Sequence, residues 1–129
     1  MKIKESAENY LEAILMIKKN KGFVRSIDVA NELGFSKPSV SVAMKNFREE
    51  GFVVVEEDGS INLTAKGLEI AEQMYERHQI IASALIALGV DEKIAYEDSC
   101  KIEHDISQQT FEKIKLYLER HSKGSKANG

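Results

Sequence analysis

The stretch from Ser26 to Leu63 changes its hydrophobic period at Gly51, from about 3.6 residues to 2, and this restricts the fold more than any other feature. Ile27, Val29, Ala30 and Leu33 form a short helical stripe that Gly34 stops. Ser36 has the chemistry of an N-cap for a second stripe of Val40, Ala43, Met44 and Phe47, with Pro38 tolerated in the first turn. Beyond Gly51, Phe52-Val53-Val54-Val55 is a β-branched run. Asp58-Gly59 marks a tight turn, and Ile61-Asn62-Leu63 alternates as a return strand should. Helix, turn, helix and hairpin in this order predict a winged helix-turn-helix, whose second helix is placed for the DNA major groove.

The flanking segments read as helices. Ser6 and Ser26 are the expected caps of the first and second helices, the first carrying Ala7, Leu11, Ile14 and Leu15 and ending near Asn20-Lys21-Gly22. Thr64 caps a long fourth helix with Leu68, Ala71, Met74 and Tyr75 on its buried side, continuing through Ile81, Leu85 and Leu88 to Gly89. Asp91 caps a fifth running to about Asp105. Ser107 caps a sixth, in which Phe111, Ile114, Tyr117 and Leu118 are apolar. The apolar faces of the last three helices exceed what one small module can bury, which predicts a two-fold dimer.

The formal net charge is −3, so any positive charge offered to DNA must be local. It is: from Gly34 to Arg48 the basic residues are Lys37, Lys45 and Arg48, with no acid among them. Taken singly, Ser36, Ser39 and Ser41 read as a cap and a solvated face. Within the winged pattern, Ser36, Lys37, Pro38, Ser39, Ser41 and Lys45 become the candidate DNA-binding residues, set at a helix end that suits phosphate. Glu56, Glu57 and Asp58 at the wing tip would repel phosphate, so the wing is expected to point away or contribute weakly.

A second chemical signal lies in Cys100-Lys101-Ile102-Glu103-His104. Thiolate, carboxylate and imidazole at i, i+3 and i+4 share a helical face, and all three ligate transition metals. The bland reading is a buried Cys beside a surface Glu-His pair. Asn9 and Glu12, at i and i+3 of the first helix, and His78 in the fourth are further possible ligands. One cysteine cannot staple the fold, and a lone thiol fits a reducing cytosol. No apolar run reaches membrane-spanning length, and Met1-Lys2-Ile3-Lys4-Glu5 lacks the core of a signal peptide. The expected location is cytoplasmic, with no membrane partner.

The sequence resembles the diphtheria-toxin-repressor family of metal-dependent regulators, including its manganese-transport-regulator branch. The resemblance rests on Glu8-Asn9-Tyr10-Leu11-Glu12, Ser36-Lys37-Pro38-Ser39-Val40-Ser41, Leu63-Thr64-Ala65-Lys66-Gly67, Arg77-His78 and the Cys100–His104 segment, in that order. It implies a mainly α fold with a small β-hairpin: a winged helix-turn-helix DNA-binding domain over 1–63 and a helical dimerisation and metal-binding domain over 64–121; the polar Ser-, Lys- and Gly-rich segment 122–129 is expected to be a flexible tail. It implies a repressor that binds palindromic double-stranded operator DNA as a homodimer when loaded with Fe2+ or Mn2+ and controls metal homeostasis genes. Zn2+, Co2+ or Ni2+ would serve in vitro.

The same resemblance places Asn9, Cys100, Glu103 and His104 at metal-ligand positions and matches Glu12 and His78 to ligands of the manganese branch. Ser36, Pro38, Ser39 and Ser41 match the DNA-facing turn. The set is a hybrid. Asn9 stands where the iron branch has Met and the manganese branch Asp. Cys100 follows the iron branch and Glu12 the manganese branch. Ala82 and Tyr96 occupy positions of the iron branch's second site. The alternative is a winged-helix regulator without metal dependence, in which Cys100 is redox-sensing or structural. No general base stands apart from the ligand set and no Gly-rich catalytic loop occurs, so an enzyme is not expected.

Overall fold

The computed structural model describes the backbone of residues 5–128 and the side chains of residues 6–121. Its elements are α1 (Glu5–Lys21), α2 (Ser26–Leu33), α3 (Lys37–Glu49), β1 (Val53–Val55), β2 (Ile61–Leu63), α4 (Ala65–Ala87), α5 (Glu92–Ile102) and α6 (Gln108–Asn128). The mainly helical fold with one antiparallel hairpin agrees with the sequence pattern. The chain divides into two compact units, Met1–Met74 and Tyr75–Gly129, and the division falls within α4.

In the first unit, α1 packs on α2 and β2, α2 packs on α3, and α3 packs on β1. Leu11, Ile14, Val24, Val29, Val40, Val53 and Ile61 are almost wholly buried among these elements. Tyr10 meets Phe47 edge-on at 5.4 Å and Phe35 at 5.6 Å between ring centroids. Gly34 ends α2 in the left-handed conformation, its amide donating to the Ala30 carbonyl, as a C-cap glycine should. Ser36 caps α3, its Oγ accepting from the Ser39 amide at 3.3 Å.

The expected cap at Ser26 is corrected: Ser26 is the first residue of α2, and extended Arg25 is the N-cap. Arg25 forms an isolated bridge with Ser60, which holds it in strand geometry, and its amide donates to Asp28 Oδ2 at 2.9 Å. Ser6 likewise lies inside α1, which is already helical at Glu5.

The hairpin pairs Val53 with Leu63, Val54 with Asn62 and Val55 with Ile61. At its tip the Asp58 carboxylate accepts from the Ser60 amide at 2.9 Å and hydroxyl at 2.6 Å, and Arg25 Nε donates to the Asp58 carbonyl at 3.3 Å. The Ser60 bonds hold the Asp58 carboxyl below its usual range. Thr64 caps α4 by accepting from the Gly67 amide at 3.1 Å and donates to the Gly51 carbonyl at 2.6 Å. A Cβ on Gly67 would stand 2.1 Å from the Phe52 carbonyl oxygen, so only glycine permits this approach of α4 to the hairpin's first strand.

In the second unit Ile81, Ala82, Ala95 and Phe111 are buried. Ser107 caps α6, its Oγ accepting from the Thr110 amide at 3.1 Å. Four residues expected on apolar faces are exposed instead: Ile27 at 41 % and Leu68 at 37 % in the first unit, Leu88 at 79 % and Tyr117 at 61 % in the second. Leu88 lies just past α4, which ends at Ala87. The α6 backbone continues through polar residues 122–128, whose side chains lie outside the described residues. No helix among the described residues is long and apolar enough to cross a membrane.

Candidate metal centre and nucleic-acid interface

The second unit brings His78 of α4 against the C-terminal end of α5. His78 Nδ1 lies 2.9 Å from Ser99 Oγ, 3.1 Å from Glu103 Oε2 and 3.5 Å from Cys100 Sγ. Three electron-rich atoms thus converge on one ring nitrogen. Ser99 Oγ donates to the Tyr96 carbonyl at 2.9 Å, which orients its lone pairs towards the imidazole. On its other side the Glu103 carboxylate has Oε1 3.3 Å from His104 Nε2. The Glu103 side chain is fully buried, and His104's is 2 % exposed.

A buried carboxylate is costly unless a positive charge compensates it. Here the compensation comes from His78, whose pKa rises to about 10 because Cys100 and then Glu103 hydrogen-bond the charged ring, outweighing its desolvation. Among the described residues, Oε1 of Glu103, on the His104 side, is buried and accepts no hydrogen bond. Imidazole nitrogen and carboxylate oxygen are donors that fit a divalent transition ion, and the Cys100 sulfur beside the same ring nitrogen would add a soft third. A divalent ion would supply in one charge what the His78 proton supplies in the metal-free site.

The expectation that a single helix carries Cys100, Glu103 and His104 is corrected. α5 ends at Ile102, Glu103 is its C-cap and His104 lies in the following turn. The Glu103 amide still bonds to Ser99, but the Asp105 amide reaches only three residues back, to Ile102 at 2.9 Å, which tightens the chain out of helix. Ala82 is buried and offers no donor atom. The Tyr96 hydroxyl donates to Gln79 at 3.3 Å, and its ring lies 5.5 Å from that of His78. Asn9 and Glu12 belong to the first unit, Asn9 half-buried and Glu12 buried on α1.

Two residues that sequence reasoning left unassigned stand at this centre, Ser99 and Arg77. Ser99 is four residues before Glu103, on the same helical face, and that spacing is visible in the sequence. Arg77 reaches the Glu103 carbonyl from 26 positions away, and no local pattern signals it.

On α3 the buried stripe is Val40, Met44 and Phe47. Ser36, Lys37, Pro38, Ser39, Ser41 and Lys45 are all exposed, as are Val42 and Asn46. Ser36 Oγ also donates to Ser39 Oγ at 2.9 Å, so the cap and its neighbour are paired.

Both halves of the chain match repressor domains. Residues 2–61 match the iron-dependent repressor N-terminal DNA-binding domain, and residues 64–125 match the iron-dependent repressor metal-binding and dimerisation domain. The chain is 32% identical over 118 residues to the transcriptional regulator MntR of Escherichia coli O157:H7, covering 92% of this chain and 76% of that protein. It is 36% identical over 118 residues to an uncharacterised HTH-type transcriptional regulator of Methanocaldococcus jannaschii, covering 90% and 94%.

Among solved structures, a manganese-dependent transcriptional repressor in complex with manganese superposes with a TM-score of 0.81 at 24% identity, over 88% of this chain and 52% of the other. IdeR of T. acidophilum gives 0.77 at 22% identity, over 95% and 55%. The present chain therefore spans about half the length of those two. The chain belongs to the iron-dependent repressor family of metal-dependent transcriptional regulators.

Proposed function

We propose that this chain is a cytoplasmic repressor that binds palindromic operator DNA as a homodimer when loaded with Fe2+ or Mn2+, and that it controls genes of metal homeostasis rather than catalysing a reaction. The observation that carries this is the convergence of Ser99, Cys100 and Glu103 on His78 Nδ1 in the half of the chain that follows a winged helix. In this reading His78, Cys100, Glu103 and His104 hold the ion, and Asn9 and Glu12 are its further oxygen donors. Ser36, Lys37, Pro38, Ser39, Ser41 and Lys45 face the DNA. A bound ion would take the place of the His78 proton, and its ligands in the α5–α6 turn would be held more tightly. An ensemble restricted in this way shifts toward the form whose two recognition helices fit half-sites one helical turn apart.

The dimer is supported by an apolar groove of about 930 Å³ between the end of α4 and α6, lined by Ala84, Ala87, Leu88, Ile114, Tyr117 and Leu118 among others. The deciding experiment selects DNA from a randomised pool with Mn2+ present, then titrates it with a panel of divalent metals and again with chelator. Metal-stimulated binding that chelator abolishes is expected. Binding indifferent to both would remove the metal from the mechanism. It would favour the second reading, an oxidant sensor built on the exposed Cys100 beside the His78 ring. Peroxide sensitivity of the same complex then tests that reading.

A further inference from the structure

We infer that Arg77 is a positioning residue for the metal centre, an inference that rests on the metal reading above. Arg77 precedes His78 on α4, and its guanidinium reaches the turn that carries Glu103 and His104. Nη1 donates to the Glu103 carbonyl at 2.7 Å and to the Ile106 carbonyl at 3.2 Å, and Nη2 donates to Gln108 Oε1 at 3.0 Å. The group lies over the buried Phe111 ring at 5.1 Å.

Glu103 is therefore gripped twice by consecutive residues of one helix: at its carbonyl by Arg77, and at its carboxylate by His78, 3.1 Å away. The segment from 103 to 107 has no regular ladder of its own, and carbonyls at a helix end lack intrahelical partners. A cation there satisfies two of them and opposes the negative end of α5. The planar fork is suited to this task in a way that a lysine is not, since it meets two carbonyls, an amide and a ring face at once.

A metal ligand displaced by a few tenths of an ångström is a poorer ligand. Residues that orient ligands typically change metal affinity by roughly 10- to 100-fold when replaced. Arg77 acts on this turn through the Glu103 and Ile106 carbonyls that flank His104, and these bonds reach neither ligand side chain. It also ties the same turn to the first residues of α6 through Gln108, so ligand geometry and the start of α6 are set by one side chain.

The test uses the full chain and Co2+, whose ligand-field bands and sulfur-to-metal charge transfer report coordination geometry. Wild type, Arg77→Lys, Arg77→Ala and the control Glu76→Gln are compared by Co2+ titration, absorption spectrum and thermal melt without metal. Glu76 pairs with Lys115 at 2.9 Å and joins the same two helices without touching the turn. Arg77→Lys should bind Co2+ roughly 10-fold more weakly and Arg77→Ala roughly 100-fold, each with an altered spectrum. Glu76→Gln should keep the wild-type spectrum. If Arg77→Ala fails to fold, the Lys variant decides alone. Wild-type affinity and spectrum in a folded Arg77 variant overturns the inference while leaving the metal reading intact. Absence of any Co2+ spectrum in the wild type overturns both.

Discussion

Nδ1 of His78 and Oε2 of Glu103, twenty-five residues apart in sequence, lie 3.1 Å apart in the interior of the helical unit. The pair makes protonation part of this unit's stability. His78 rises from its ordinary 6.5 to about 10 in the fold, Cys100 being the larger cause and Glu103 the next. A raised pKa contributes stability that is fully present below 6.5 and is lost as pH rises through about 10. In metal-free protein the urea midpoint of wild type relative to His78→Gln should fall across that window. A difference that stays flat from about pH 6 to about pH 10.5 would contradict it. Because a ligating Nδ1 carries no proton, Mn2+ uptake near neutral pH should release protons, seen as a buffer dependence of the calorimetric heat.

Gly67→Ala sets two effects against each other. Helix propensity favours Ala by up to about 1 kcal/mol. The new Cβ would meet the Phe52 carbonyl at 2.1 Å and must push backbone aside, at a cost of about 1–3 kcal/mol. A net fall in melting temperature is expected. A rise would show that the packing of α4 on Phe52 relaxes freely.

Lys45 is exposed on α3 beyond the buried Met44, where it reaches phosphate in the proposed complex. Lys45→Ala should weaken binding to all sequences alike. The slope of log affinity against log salt should fall by roughly one unit for each phosphate that Lys45 no longer neutralises. An unchanged slope would move Lys45 off the DNA.

In the proposed centre Cys100 would be a soft donor, so Co2+, Fe2+ and Zn2+ should bind at least as tightly as Mn2+. Cys100→Glu should shift that ranking toward Mn2+. His104→Ala should abolish metal-stimulated DNA binding while the winged unit stays folded. Calorimetric titration of the two variants checks both. An unaltered ranking in the first, or full metal affinity in the second, would remove that residue from the ligand set.

Leu88 and Tyr117 are exposed at 79 % and 61 % and line the groove assigned to a second copy. Leu88→Lys and Tyr117→Asp should give a folded monomer in sedimentation at micromolar concentration, where the wild type should sediment as a dimer. Dimers in both variants would place the interface elsewhere.

The element order is legible in the sequence because its boundaries are local. Gly34, Ser36 and Thr64 act on amides and carbonyls within a few residues. Ser26 misleads because pairing of Arg25 with Ser60, thirty-five positions on, decides where α2 begins. Leu88 and Tyr117 carry the right period, but periodicity marks an apolar face without saying whether the same chain covers it. Cys100, Glu103 and His104 stand out as a motif because they are near neighbours in the chain. The bonds of Arg77 to Glu103, Ile106 and Gln108 span 26 to 31 residues, a separation at which side-chain partners are set by packing alone.

The hydroxyl of Ser36 donates to Ser39 at 2.9 Å while also receiving the Ser39 amide. The two hydroxyls at the leading edge of α3 are thus already paired with each other. In the proposed complex, docking on DNA would exchange this bond for new ones rather than order free hydroxyls. Discrimination between operators at this edge would then fall chiefly to enthalpy, and a calorimeter would register it as heat that varies with base sequence.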